Sequence, residues 1–163
     1  MLERLACPNR QRNRIIKAFY GIWLLLMQKD NPPLVYQKTW LTIGVGLVLV
    51  VIYLSLTPKP VKINLDIAYL DKFEHAFAYS VQTLWFSMIV FREKPRLLIS
   101  GGLIAMGSIL EILQGIGQYR YFQYSDMVAN TVGVAMGYLL GLTSLRFGLW
   151  RFENRIAARA RPR

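Results

Sequence analysis

Between residues 71 and 137 the sequence places polar and titratable side chains inside segments that are otherwise apolar. Carboxylates, an imidazole, basic groups and carboxamides are the groups that proteins use for acid–base chemistry and for binding phosphates. A charged side chain within hydrocarbon costs about 2.5–3.5 kcal/mol, so such residues face the protein interior and often mark functional sites. The candidate ligand-binding residues are Asp71, Lys72, His75, Tyr79, Glu111, Gln114, Arg120, Asp126 and Asn130.

The segments that carry these residues have the length of membrane-spanning helices. Residues 40–57 contain no charged residue and, at about 1.5 Å per residue, would extend roughly 27 Å, close to the hydrocarbon thickness of a bilayer. Residues 73–91, 97–116 and 126–145 have similar lengths. Apolar residues make up 54% of the 163-residue chain. The sequence therefore predicts an all-α membrane protein whose domain at 40–145 is a bundle of four transmembrane helices.

The distribution of basic residues predicts the orientation of this bundle. The net charge is +11, but the basic residues lie at the ends of the apolar segments, which argues against nucleic acid as a partner. With four spans, sixteen of the 20 lysines and arginines lie on the side that holds both termini. Because basic loops stay cytoplasmic, we expect both termini inside and the loops 58–72 and 117–125 outside.

The two ends of the chain are basic and contain aromatic residues. Residues 15–27 are short for a span, and counting them as one would divide the basic residues almost evenly between the two sides. We interpret them as an interfacial helix on the cytoplasmic face, within a basic N-terminal segment at 1–39. A signal peptide is the alternative, although no small-residue cleavage site follows. We expect the basic cytoplasmic tail, 146–163, to lie on the inner leaflet in the same way.

The orientation places all three polar sets in the outer leaflet. Asp71, His75 and Tyr79 follow at four-residue spacing, so they share one face of the second span. The polar pairs on the third and fourth spans share faces at spacings of three and four residues. We therefore expect three helices to meet at His75, Glu111 and Asn130, with basic side chains nearer the surface offsetting the carboxylates.

Most of these residues also have a purely structural interpretation. The two aspartates stand at the starts of their helices, where a carboxylate satisfies free amide groups. Gln114 and Asn130 suit hydrogen bonds between helices, and Tyr79 suits an interfacial aromatic belt. Glu111 and His75 are harder to explain in this way because they are titratable and lie within spans, which makes them the candidate catalytic residues.

Small residues on the third and fourth spans predict close contacts between helices. Gly133, Gly137 and Gly141 follow at four-residue spacing on the fourth span, so they form a row along which another helix can approach closely. The third span carries Gly101, Gly102, Ala105 and Gly107.

The order and spacing of the polar residues resemble those of the VanZ-like family of small bacterial membrane proteins. The matching motifs are Asp71-Lys72-x-x-His75-x-x-x-Tyr79, Glu111-x-x-Gln114, Arg120 and Asp126-x-x-x-Asn130-x-x-Gly133-x-x-x-Gly137. They cover roughly residues 40–142. The resemblance implies a multi-pass protein of the bacterial inner (plasma) membrane in which these polar residues form the signature cluster. It also implies a link to the cell envelope and to antibiotic resistance, because the named member lowers susceptibility to the glycopeptide teicoplanin.

Three functions are compatible with this pattern, and we favour the first. It is an envelope protein whose outward-facing polar pocket binds a lipid, a cell-wall-related ligand or a membrane partner protein. The second is an intramembrane enzyme acting on a lipid-linked phosphate or glycan, with Glu111 or His75 as general base and with Lys72 and Arg120 holding a phosphate. The third is a proton-linked transporter, which four short spans without an internal repeat disfavour. No H-E-x-x-H or comparable run of ligands is present, so we predict neither a metal nor a cofactor.

Overall fold

The computed structural model describes residues 34–57, 70–117 and 123–159, and all regular structure in these ranges is helical. The helices are α1 (Gln37–Leu56), α2 (Leu70–Ile89), α3 (Glu93–Ile116), α4 (Tyr124–Leu140), a 3-10 turn (Ser144–Phe147) and α5 (Gly148–Arg159). The prediction of an all-α protein is confirmed for these residues. The predicted interfacial helix at 15–27 and the site residue Arg120 lie outside the described residues.

Two of the helices, α1 and α3, are long and apolar enough to cross a membrane. A third span is obtained if α4 and the segment Ser144–Arg159 are counted as one, although they are bent by 72°. Helix α2 is 20 residues long, but polar residues along it lower its hydropathy. The described residues thus indicate a membrane protein with two or three helices able to span, and the count of four stays a prediction.

The observed helix ends differ from the predicted spans where local chemistry overrides hydropathy. Helix α4 ends at Leu140 and not at residue 145, and its C-cap is Gly141, whose backbone N–H donates to the carbonyl oxygen of Gly137. Helix α3 begins at Glu93, four residues before the predicted start, since an acidic residue in the first turn favours the positive end of a helix. Helix α2 begins at Leu70, so Asp71 lies inside its first turn.

Helix α2 occupies the centre of the described helices and packs against each of the other four, most extensively against α4. The order of their contacts shows that the two helices run parallel: successive glycines of α4 face successive positions of α2. A Cβ atom on Gly133 would lie 2.8 Å from the Cα of Ala76, and one on Gly141 would lie 2.6 Å from the Cβ of Ser87. The expected close approach of another helix to the glycine row is therefore confirmed, and α2 is the helix that approaches.

Helices α1 and α3 run opposite to this parallel pair. The indole N–H of Trp85 donates to the carbonyl oxygen of Trp40, near the start of α1, and Gln82 donates to the carbonyl oxygen of Leu47, two turns further along α1. The chain direction therefore alternates along the sequence from α1 to α4. At one end of the bundle lie the starts of α2 and α4 with the ends of α1 and α3.

Two buried hydroxyl groups on α2 are satisfied within the helix, which helps a fairly polar helix to lie at the centre. The Thr83 hydroxyl donates to the carbonyl oxygen of Tyr79, and that of Ser87 donates to the carbonyl oxygen of Thr83, each at 2.8 Å. The apolar core around α2 consists of Tyr79, Phe86, Leu103 and Val134. Burial against protein thus replaces the lipid contact that an apolar span would make.

Candidate functional site

The starts of α2 and α4 bring three of the predicted site residues, Asp71, Lys72 and Asp126, together at one end of the bundle. Lys72 is the centre of this group. Its ammonium donates to Asp71 Oδ2 at 2.6 Å and to Gln123 Oε1 at 2.7 Å, and it forms an ion pair with Asp126 Oδ1. Asp126 is almost fully buried, so its charge is held by a partner and not by solvent.

One helical turn deeper, His75 of α2 faces Asn130 of α4. Its Nδ1 atom lies 3.1 Å from the side-chain oxygen of Asn130. An amide oxygen only accepts hydrogen bonds, so Nδ1 carries the proton in this arrangement. The other ring nitrogen, Nε2, lies 3.9 Å from Asp126 Oδ2, a distance that allows charge attraction but not a direct hydrogen bond. Because α2 and α4 pack in parallel, residue 72 lies opposite residue 126, and one turn further along both helices residue 75 lies opposite residue 130.

Glu111 reaches the same group through a residue that sequence reasoning missed. Its Oε1 atom accepts a hydrogen bond of 2.9 Å from the backbone N–H of Gln123. Because the side chain of Gln123 accepts from Lys72, this one residue connects Glu111 to the network. Gln123 precedes α4 and lies outside the predicted spans. The candidates stood out by a shared helix face or by charge, and an uncharged loop residue has neither signal.

Tyr79 and Gly107 close the inner side of the group. Tyr79 is 2% exposed and lies one turn deeper than His75 on the same face of α2. A Cβ atom on Gly107 of α3 would lie 2.9 Å from the hydroxyl of Tyr79 and 3.0 Å from the amide nitrogen of Asn130. Because Gly107 has no side chain, α3 can approach α2 and α4 closely at this point.

The three helices converge as predicted, but only two of the three central residues are in direct contact. His75 and Asn130 are in direct contact, whereas Glu111 joins them through Gln123, Lys72 and the ion pair to Asp126. We refer below to the residues Asp71, Lys72, His75, Glu111, Gln123, Asp126 and Asn130 as the polar network.

Gln114 lies outside the polar network. Its side-chain amide donates to the carbonyl oxygen of Ser55 at 2.6 Å, near the end of α1. This carbonyl belongs to the last turn of α1, where no intrahelical donor remains for it. The bond corresponds to the structural interpretation of Gln114, a hydrogen bond between helices.

The polar network opens at the end of the bundle and closes inward. Along α2 the exposed fraction of the side chain falls from 45% at Asp71 to 21% at Lys72 and 17% at His75. Asp126, which faces Lys72 from α4, is 7% exposed. A polar group arriving from this end would meet Asp71 and Lys72 first and His75 next.

The chemistry that these groups offer is binding and proton transfer. Lys72 can pair with an anionic group, and the Nε2 atom of a neutral His75 can accept a proton. Within the described ranges no group of three or more His, Cys, Asp or Glu residues is placed to hold a metal ion.

Comparison of the chain with protein-family models, with curated proteins and with solved structures found no match. Its chemistry is therefore inferred from the geometry of the polar network.

Proposed function

We propose that the chain is a four-span membrane protein whose polar network binds the polar group of a lipid or of a cell-wall-related ligand. The observation that carries this proposal is the position of Lys72 and His75. Both are part-exposed at the open end of the network, while the residues that hold them, Asp126 and Asn130, are buried. Residues that served packing alone would not need side chains whose exposure decreases stepwise from the end of the bundle inward.

The central position of α2 supports the count of four spans. A polar helix enters a bilayer at acceptable cost when its polar side chains face neighbouring helices. Helix α2 has the same length as α1, runs alongside it and is covered by α1, α3 and α4. Because its polar side chains are buried against protein, its hydropathy underestimates its ability to span a membrane.

The charge distribution supports an orientation with the polar network on the outer side. Eight of the nine lysines and arginines in the described ranges lie at the opposite end of the bundle, and segments rich in basic residues stay cytoplasmic. On this orientation the network faces the outer leaflet of the bacterial inner (plasma) membrane. A ligand would be the headgroup of a lipid or a lipid-linked cell-wall intermediate.

The motifs that resemble the VanZ-like family include the five residues of the polar network that lie on α2 and α4. They are Asp71, Lys72, His75, Asp126 and Asn130. On this resemblance we extend the proposal to an envelope protein with a role in tolerance to glycopeptides such as teicoplanin. The contacts among these residues supply a physical reason for their joint occurrence.

Catalysis on a lipid-linked phosphate or glycan is the second candidate function. It is favoured by the orientation of His75, whose Nδ1–H is held by Asn130 while Nε2 lies 3.9 Å from Asp126 Oδ2. A histidine fixed in this tautomer is suited to act as a general base. Lys72 would then hold the phosphate of the substrate.

The decisive experiment is complementation of a deletion strain of the source organism under cell-wall antibiotics, including teicoplanin. We expect His75→Gln and Glu111→Gln to lose the phenotype of the wild-type gene while the proteins accumulate in the membrane. The matched control is Glu93→Gln, which removes an exposed carboxylate from the other end of α3 and should complement fully.

The outcomes separate the interpretations. Full complementation by His75→Gln and Glu111→Gln would refute a functional role for the polar network. Loss of protein from the membrane would assign these residues to folding. To separate binding from catalysis, the purified protein is incubated with lipid-linked phosphates: a raised melting temperature without product supports binding, and a product that His75→Gln does not form supports catalysis.

A further inference from the structure

Helix α5, at the opposite end of the bundle, carries a cationic face next to an apolar one. Arg151, Arg155 and Arg159 follow at four-residue spacing and are all exposed. Phe152 and Ile156 follow at the same spacing on the adjacent face, and each is 50% exposed. Large exposed apolar side chains beside a row of arginines are typical of helices that lie in the headgroup region of a membrane.

The direction of α5 fits this location. The segment that contains it, Ser144–Arg159, is bent by 72° from α4. If α4 crosses the membrane, α5 runs nearly in the plane of its surface. A helix in that plane can place its apolar face against the acyl chains and its arginines among the headgroups.

Glu153 holds α5 in this position. Its carboxylate accepts hydrogen bonds from the backbone N–H groups of Val35 and Tyr36 at 2.7 and 2.9 Å, and from the indole N–H of Trp40 at 2.6 Å. These donors stand at the start of α1, where backbone N–H groups have no partner within the helix. The only carboxylate of α5 is thus buried against α1, which leaves its exposed face purely cationic.

We propose that α5 is a binding surface for anionic phospholipid headgroups of the leaflet next to the start of α1. Charge complementarity identifies the occupant, since the three arginines have no acidic neighbour on α5 other than the inward-facing Glu153. This proposal concerns the end of the bundle away from the polar network, so it stands or falls independently of the proposed function.

The test is hydrogen–deuterium exchange of the full-length protein in nanodiscs of phosphatidylcholine, with and without phosphatidylglycerol. We expect phosphatidylglycerol to slow exchange in peptides that cover 148–159. A basic residue near an anionic surface contributes about fivefold, so Arg155→Gln/Arg159→Gln should reduce this slowing by roughly 25-fold. Molar salt should remove the effect in the wild-type protein, because it shortens the screening length to about 3 Å.

The matched control is Lys38→Gln/Lys94→Gln, which removes two exposed positive charges near the same end of the bundle, at the starts of α1 and α3. It should keep the full slowing. The single variant Arg159→Gln, in the last turn of α5, should lose about fivefold and guards against a folding defect in the double variant. Equal exchange in the two lipids would overturn the proposal, and so would an equal loss in the lysine control.

Discussion

Replacing Gly133 by alanine tests whether α2 and α4 pack as closely as the structure describes. The new Cβ atom would lie 2.8 Å from the Cα and 2.9 Å from the carbonyl carbon of Ala76, with the carbonyl oxygen closer still. All three are backbone atoms, so no rotamer change relieves the contact. Ordinary carbon–carbon contact distances are about 3.5–4.0 Å, so the two helices must separate by about 1 Å at this point.

The expected loss of stability follows from this separation. Forcing an extra carbon into a packed interface typically costs about 1–3 kcal/mol, and a backbone clash belongs in the upper part of that range. Alanine recovers up to about 1 kcal/mol through its better helix propensity. We therefore expect Gly133→Ala to lower the free energy of unfolding by about 2 kcal/mol. Asn130 lies one turn away on α4, so its contact with His75 should weaken as well.

The assay is equilibrium unfolding of the purified full-length protein in mixed micelles with increasing sodium dodecyl sulfate. Gly101→Ala on α3 is the matched control, since a Cβ atom there would meet nothing within 4 Å. We expect it to match the wild-type protein or to exceed it by up to about 1 kcal/mol. Equal stability of Gly133→Ala and Gly101→Ala would refute the close packing of α2 against α4.

Three further substitutions can be measured in the same unfolding assay. Glu153→Ala leaves three donors at the start of α1 without their acceptor and should cost about 3 kcal/mol, whereas an unchanged stability would show that α5 is not docked there. Gln114→Leu removes the bond to the carbonyl oxygen of Ser55 and should cost about 0.6–1.7 kcal/mol without affecting the complementation phenotype. Loss of that phenotype in a well-folded Gln114→Leu protein would instead assign Gln114 to the binding site. Asp126→Asn removes the buried charge that faces Lys72 and should cost about 1–3 kcal/mol, and a neutral result would mean that Asp71 and water hold the ammonium equally well.

The spacing of polar residues predicted much of the polar network because helix geometry converts sequence separation into a shared face. It correctly grouped His75 with Asn130 and predicted that Lys72 would offset carboxylates, as its ion pairs with Asp71 and Asp126 show. The same reasoning could not separate Gln114 from the group. A glutamine on the right face can reach either the network or a neighbouring helix, and only the position of α1 decides between them.

Hydropathy and periodicity, which are local properties of the chain, determined that the protein is helical, that α1 and α3 can span a membrane, and that Gly133 begins a face for close packing. Contacts between residues distant in sequence were decided only by the tertiary structure. The parallel packing of α2 and α4 sets the register of the polar network, and a loop residue, Gln123, connects Glu111 to it. The turn after Gly141 directs α5 away from α4, and Glu153 holds it at the start of α1. These contacts depend on which helices are neighbours. That arrangement depends on how all the helices bury their faces at once, which no single segment of the sequence specifies.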